Sequence, residues 1–253
     1  MKRFIISNPF LYTAGIVLVF LLWGLISLWQ GNLIFPSPAD TFGFMGELFG
    51  SSFFYQSIGM SLLRTFYGFG LAFILALILG SLAGEIKPLQ SLFKPLMIVL
   101  KSAPTAAFVF LFLILSGSSR APVWIVSLLA FPILYESVVS GINAVPKEIL
   151  WAAKVDSGHF FHTLVRVKIP LSSSYIVLGL FASFALSFKT TIMAEIITGD
   201  TGPGLGGLIR VYRNSDPSDM TPIFAIAFVA IAIILIFDAI AFLTGRILNK
   251  EPN

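Results

Sequence analysis

The sequence predicts an all-α protein that crosses a membrane several times. Of its 253 residues, 57% are hydrophobic and 11% are charged, whereas a soluble domain carries about 25% charged residues. Mean hydropathy is +0.94, and several apolar runs reach the roughly 20 residues that a helix needs to cross the hydrocarbon core. Because a soluble core of this size could not hide so many apolar side chains, we predict a polytopic helical membrane protein.

Six segments have the length and composition of transmembrane helices. They are Phe10–Trp29, Thr65–Gly84, Pro95–Leu115, Ala121–Ile142, Leu171–Ile197 and Thr221–Gly245. We expect the first to be an uncleaved span, since no small-residue cleavage site follows it. A short surface helix is predicted over Ser37–Phe54, with Ser37 or Asp40 as its cap.

The distribution of Lys and Arg predicts that both termini are cytoplasmic. With the N-terminus inside, the inner side holds ten of these residues: Lys2, Arg3, Lys87, Lys94, Lys147, Lys154, Arg166, Lys168, Arg246 and Lys250. The outer side holds three: Arg120, Arg210 and Arg213. Positive residues concentrate on the cytoplasmic side of membrane proteins. We therefore expect an N-terminal segment and first helix (1–32), an extracytoplasmic loop with the surface helix (33–57), a core of five helices (58–246) and a cytoplasmic tail (247–253).

A polar block, residues 146–170, interrupts the apolar sequence between the fourth and fifth predicted spans. Pro146 is suited to the first turn of a helix, and Glu148 follows in the same turn, where a negative charge is favoured. The small side chains of Ala152 and Ala153 would let another protein approach closely. A helix that docks a cytosolic partner is one interpretation, and an amphipathic loop lying on the lipid surface is the other.

The polar block resembles the EAA signature of permease subunits of ATP-binding cassette (ABC) importers. When Pro170 is aligned with the final proline of that signature, Trp151, Ala152 and Ala153 fall on Glu-Ala-Ala, and Ser157 falls on its glycine, one place before Gly158. Four other segments are similar, in order and spacing, to the nitrate/sulfonate/taurine subfamily: LIFPSPADTF (33–42), SLLRTFYGFGLAFILALILG (61–80), KSAPTAAFVFLF (101–112) and AEIITGDTGPGLGGLI (194–209).

This resemblance implies the type I ABC importer permease fold in a bacterial inner membrane, with a coupling helix over residues 146–161. It implies contacts with an ATPase subunit through Glu148, Trp151, Ala152, Ala153, Ser157, Gly158 and Pro170. The expected partners are two ATPase subunits, which hold ATP and Mg, an extracytoplasmic substrate-binding protein, a second permease copy and membrane lipid. Nothing in the sequence indicates nucleic acid.

The sequence also predicts that the chain itself is not an enzyme and holds no cofactor or metal. It lacks the GxxxxGK[ST] phosphate loop, and Gly199–Gly207 has no lysine, so a turn outside the membrane is the expected structure there. Cysteine is absent and only two histidines are present. The HExxH and GxSxG motifs of hydrolases are absent as well, which argues against an intramembrane enzyme.

Charged residues within the predicted spans are candidates for the solute pathway. A charge in hydrocarbon costs at least about 2.5–3.5 kcal/mol, so the charges at or within the spans need partners, water or a membrane edge: Arg64, Lys101, Glu136, Lys189, Glu195 and Asp238. Lys101, Lys189 and Glu195 are the pathway candidates, together with Pro104 beside Lys101, where the helix loses a backbone hydrogen bond and freed carbonyls can line a cavity. One hypothesis is that both lysines face the pathway and favour a small anion of the sulfonate, taurine or nitrate type. The other is structural: Lys189 pairs with a glutamate, and Lys101 extends toward the membrane edge.

Two alternatives to import of a small anion by an ABC permease are compatible with the sequence. Similar permeases import thiamine pyrimidine precursors or other small heterocycles, so the solute could belong to that class. An ion-gradient-driven secondary transporter, which needs no ATPase, is the alternative of another class.

Overall fold

The computed structural model describes residues 9–31, 34–146, 148–151, 159–200 and 202–248. These residues form helices and connecting turns, with no β-strand among them. Five helices are long and apolar enough to cross a membrane, and one further pair of helices meets the same criteria across a sharp bend. The prediction of an all-α polytopic protein is therefore confirmed.

The helices of the described residues follow one another along the chain. In the first half of the chain they are α1 (Pro9–Gln30), α2 (Pro38–Phe49), α3 (Ser52–Glu85), α4 (Lys87–Ser102), α5 (Thr105–Ser116) and α6 (Ala121–Asn143). In the second half they are α7 (Phe160–Thr163), a π-helical turn (Leu164–Lys168), α8 (Ile169–Leu171), α9 (Ser173–Thr198), α10 (Leu205–Ser215) and α11 (Thr221–Leu248). We call the end of the bundle that carries Glu85 and Lys168 the polar-block end, and the other the α10 end.

The third predicted span is broken. The sequence predicts a span over Pro95–Leu115 that is interrupted by Lys101 and Pro104, and α4 and α5 meet at this interruption at an angle of 96°. Ala103 and Pro104 form the break, both with extended backbone. Proline lacks the N–H that would continue the helical ladder, and it disfavours helical geometry in the residue before it.

A stripe of small residues on α3 lets it pack closely against α6. Every fourth residue is glycine or alanine: Gly68, Ala72, Ala76, Gly80 and Gly84. A Cβ atom at Gly68 would lie 2.4 Å from the carbonyl oxygen of Val123, and one at Gly84 would lie 2.8 Å from Cβ of Ile142. Small residues allow close approach of helix backbones where no water drives their association. This contact fixes α3 and α6 as the centre of the bundle.

The α10 end of the bundle is covered by α2 and held to α1 by aromatic packing. Ser37 caps α2 as predicted, since its side chain accepts a hydrogen bond from the Asp40 amide. The helix ends at Phe49, earlier than predicted, because the chain turns at Gly50 before α3 begins. Trp23 of α1 stacks on Phe228 of α11 with ring centroids 4.7 Å apart.

Candidate functional site

Helix α4 has three distinct faces. One packs in the core through Leu89, Phe93, Met97 and Leu100. A second is apolar and exposed, and it consists of Leu92, Leu96 and Val99. The third is polar and consists of Lys87, Gln90, Ser91, Lys94 and Lys101, at the three- and four-residue spacing that places side chains on one side of a helix.

The polar face of α4 adjoins an exposed polar strip on α6. Glu136, Ser140 and Asn143 form this strip. Lys101 Nζ donates a hydrogen bond to Glu136 Oε2 at 2.5 Å, and the two side chains are 43% and 49% exposed. The charge of Lys101 is therefore balanced within the protein, immediately before the break at Pro104.

Lys189 lies in an exposed stripe along α9. The stripe follows helical spacing and consists of Tyr175, Leu178, Ala182, Leu186, Lys189 and Met193. Lys189 lies about one turn from the midpoint of α9, toward the α10 end. Within the part of the chain that the structure describes, its ammonium group has no hydrogen-bond or ion-pair partner. Pairing with a glutamate, one of the two hypotheses for Lys189, is therefore not seen among these residues.

The exposed residues of α4, α6 and α9 belong to one side of the bundle. On α6, Tyr135 and Val139 pack in the same core cluster as α4. Ser137 and Gly141 contact α9. A Cβ atom at Gly179 would lie 2.4 Å from Cβ of Ser137, and one at Gly141 would lie 3.0 Å from Cβ of Tyr175. The polar strip of α6 projects between these two contacts. We call this surface of α4, α6 and α9 the polar face.

Glu195, the other charge placed in the pathway by the sequence, is buried on a different side of α9. Its Oε1 accepts a hydrogen bond from Arg64 Nη1 at 2.8 Å. Its Oε2 accepts hydrogen bonds from Ser61 Oγ at 2.7 Å and from the Gly206 amide at 3.0 Å. The side chain of Glu195 has no exposed surface, so it does not contribute to the polar face.

Arg64 joins Glu195 to the turn that follows α9. Its second amino group pairs with Asp200, and Arg210 Nη2 donates a hydrogen bond to the Asp200 carbonyl oxygen at 2.8 Å. We call Ser61, Arg64, Glu195, Asp200 and Gly206 the buried charge network. Removal of one member of such a pair leaves an uncompensated buried charge and costs about 3–5 kcal/mol. The network therefore holds α3, α9 and α10 together.

The glycines after α9 are needed because the chain passes close to this network. A Cβ atom at Gly204 would lie 2.9 Å from Arg64 Nη1, and one at Gly206 would lie 2.4 Å from the carbonyl oxygen of Ile192. The turn predicted for Gly199–Gly207 is present, but Leu205–Gly207 already belong to α10. The sequence placed Arg64 within a span and did not pair it with Glu195 or Asp200.

The predicted coupling segment is described only in part. Ala152, Ala153, Ser157 and Gly158 lie outside the described residues. Glu148, Trp151 and Pro170 are exposed, and Trp151 is 67% exposed. Lys168 forms an ion pair with Glu85 at the end of α3. The ion pair ties the π-helical turn before α9 to the central helix α3.

The chain is similar to several transport permeases. It is 27% identical over 201 residues to the nitrate import permease protein of Leptolyngbya laminosa, and this alignment covers 79% of this chain and 71% of the relative. It is 25% identical over 189 residues to the putative aliphatic sulfonates transport permease of Bacillus subtilis strain 168, and this alignment covers 71% of this chain and 68% of the relative. The riboflavin transport system permease of Chloroflexus aurantiacus is 28% identical over 237 residues, with 89% and 86% covered.

Solved structures share the fold. A chain of the methionine ABC transporter, in inward-facing form, superposes with a TM-score of 0.65 at 13% identity, covering 78% of this chain and 97% of that one. A chain of an amino acid ABC transporter superposes with a TM-score of 0.63 at 20% identity, covering 77% of this chain and 92% of that one.

The family model for binding-protein-dependent transport system inner membrane components matches residues 72–249, which is more than half of the chain. This match includes α4, α6 and α9, which form the polar face, and Glu195 and Asp200 of the buried charge network. The chain therefore belongs to the family of binding-protein-dependent transport system inner membrane components, and it is a multi-pass permease subunit of an ABC importer with the type I fold.

Proposed function

We propose that this permease, paired with a second copy of itself, conducts a small anionic solute across the membrane by alternating access. The observation that supports this proposal is the position of Lys189. Its ammonium group is exposed on a membrane-spanning helix, about one turn from the midpoint of that helix, without a partner among the described residues. A lysine facing lipid at this depth would cost at least about 2.5–3.5 kcal/mol, so the polar face is expected to border water.

The charges on the polar face favour an anion. Lys101 is neutralised by Glu136, which leaves Lys189 and Lys94 as positive charges without a carboxylate partner among the described residues of the polar face. A water-filled cleft lined by one sign of charge concentrates ions of the opposite sign. Relatives named for nitrate and aliphatic sulfonates, both anions, are consistent with this preference.

Energy for transport would come from ATPase subunits that bind ATP and Mg and dock at the polar-block end. Exposed Glu148 and Trp151 would contact them, together with the small residues of the same segment. The Lys168–Glu85 ion pair offers a path by which movement of this segment reaches α3. An extracytoplasmic binding protein would deliver the solute at the α10 end, and both termini would lie in the cytoplasm.

A heterocyclic solute is the second candidate. The riboflavin permease of Chloroflexus aurantiacus supports it, because the alignment with this relative spans 89% of the chain. A thiamine pyrimidine precursor would belong to the same class. Membership of a binding-protein-dependent family favours ATP-driven import over the gradient-driven alternative.

The first experiment is purification of the tagged chain from native membranes in a mild detergent, with partners identified by mass spectrometry. Stoichiometric recovery of an ATPase with a phosphate-binding loop would support the proposed mechanism. Reproducible recovery of the chain alone would refute it. The co-purified binding protein is then titrated with taurine, nitrate and riboflavin, and preference for riboflavin would replace the anion by the heterocycle.

A further inference from the structure

A polar cavity lies on the polar face, away from Lys189. It has a volume of about 530 Å³ and opens between the first turns of α4 and the last turns of α6. Gln90 and Lys94 line it from α4, and Tyr135 and Ser140 line it from α6. These residues follow closely after Glu85 or lie just before the end of α6, so the cavity belongs to the polar-block end of the bundle. Lys189 lies on α9 toward the opposite end.

Tyr135 is a buried polar side chain without a hydrogen-bond partner. The residue is 3% exposed, and its hydroxyl group forms no hydrogen bond with any of the residues that the structure describes. A buried hydroxyl is normally paired, because an unpaired one keeps the cost of its lost water. A residue that lines a cavity and carries such a group is suited to bind a ligand placed there.

Lys94 gives the cavity an unbalanced positive charge. It is exposed and has no carboxylate partner in the described part of the chain, whereas Lys101, two turns further along α4, is paired with Glu136. The cavity wall also carries the carboxylate of Glu136, whose charge is balanced by Lys101. The other polar groups of the wall, from Gln90, Ser91 and Ser140, are neutral. Met97 and Val139 add apolar surface. The cavity therefore combines one cation without a partner, one carboxylate that is already paired, neutral hydrogen-bonding groups and an apolar wall.

We propose that this cavity is a binding site for a small organic anion that enters from the polar-block end. The anionic group would lie against Lys94 and accept a hydrogen bond from the Tyr135 hydroxyl, and the hydrocarbon part would pack on Met97 and Val139. Pockets of about 300–1,000 Å³ hold molecules of many atoms, so an organic sulfonate or carboxylate fits this site better than nitrate. Imported solute that accumulated at this end would occupy it.

The identification of this anion with the transported solute rests on the function proposed above, but the binding site does not. The site is formed by α4 and α6 of one chain, and it uses neither Lys189 nor the ATPase. Its test is therefore a binding measurement on the full chain alone, in lipid nanodiscs. The probe is trifluorobutanesulfonate, and its binding is followed by broadening of the fluorine NMR signal.

Saturable binding to the native chain is expected. Lys94→Gln should weaken it by about tenfold or more, since a charge-assisted hydrogen bond is lost, and Tyr135→Phe should weaken it severalfold. Lys87→Gln is the matched control, because Lys87 lies on the same face of α4 but does not line the cavity. It should bind the probe as the native chain does. Nitrate in equal concentration should not displace the probe.

Two results would overturn the proposal: absence of saturable binding to the native chain, or unchanged binding to Lys94→Gln, whose exposed side chain can be replaced without disturbing the core. Loss of binding in Lys189→Met alone would place the anion in the pathway and leave the function proposed above in force. Intact cavity binding, together with normal solute uptake by Lys189→Met, would contradict the pathway role of Lys189 and leave this site standing.

Discussion

Two regions of the transmembrane bundle carry charged side chains in sharply different surroundings. In the buried charge network, Arg64 bonds Glu195 and Asp200, and Ser61 and the Gly206 amide supply further donors to Glu195. On the polar face, Lys189 is exposed and has no partner among the described residues. The same chemical feature, a charge within a span, is thus bonded inside the protein in one region and exposed without a partner in the other.

Burial and the presence of partners decide what each of these charges contributes. A buried charge is tolerated only when partners replace the water it has lost, so its removal should affect stability. An exposed charge without partners contributes little to the fold, so its removal should affect transport. Variants in the buried charge network are therefore expected to lose stability, and variants at Lys189 are expected to lose uptake without losing stability.

The largest effect is expected from Arg64→Met. Its loss leaves Glu195 and Asp200 buried without their shared cation, which should destabilise the protein by about 3–5 kcal/mol. The measurement is the thermal midpoint in mild detergent, followed by size-exclusion chromatography. The control is Arg213→Met, an exposed arginine on α10, which should melt as the native protein does. Native-like melting of Arg64→Met would contradict the structural role of the buried charge network.

Gly206→Ala should give the next largest loss of stability. The added methyl group would lie 2.4 Å from the Ile192 carbonyl oxygen and 2.6 Å from Cβ of Glu195, so backbone must move. Overpacking of this kind costs about 1–3 kcal/mol. Gly202→Ala is the matched control in the same segment, because its nearest neighbour, Asp200 Oδ2, would be 3.5 Å away. Equal thermal midpoints for the two variants would argue against close packing around the network.

Lys189→Met should leave the thermal midpoint unchanged and lower solute uptake. The physical reason is loss of the electrostatic attraction that concentrates an anion in the pathway, an effect of about tenfold or more. Uptake of labelled taurine and nitrate into cells is measured, with the amount of protein in the membrane determined in parallel. Lys189→Arg keeps the charge and should retain uptake. Normal uptake by Lys189→Met would favour a structural role for this lysine.

Local features of the fold could be predicted from the sequence more completely than the pairing of charges. The cap at Ser37 follows from a serine before proline at a helix start, and the interruption near Pro104 follows from the missing proline N–H. The bend of 96° does not, because its size depends on how α4 and α5 pack. These features depend on neighbours within a few residues, which a single sequence displays directly.

The charge pairs depend on residues that are far apart in the chain. Arg64 and Glu195 are 131 positions apart, and Lys101 and Glu136 are 35 apart. The sequence identified Lys101, Lys189 and Glu195 as costly charges, but it could not tell which would be buried. Only the packing of α3 against α9, through the Gly-rich turn, shows that Glu195 faces Arg64 and that Lys189 faces away.

The smallest effect is expected from Lys101→Met, and it tests whether partial exposure lowers the importance of an ion pair. Lys101 and Glu136 are each close to half exposed, so water screens their attraction, and such pairs contribute about 0.2–1 kcal/mol. Lys101→Met should therefore shift the thermal midpoint far less than Arg64→Met. It also leaves Glu136 as an unbalanced negative charge on the polar face, which should reduce anion uptake. The double variant Lys101→Met/Glu136→Gln removes both charges and should restore it. If the double variant transports no better than the single one, the defect would come from lost packing beside Pro104, and charge balance on the polar face would not govern uptake.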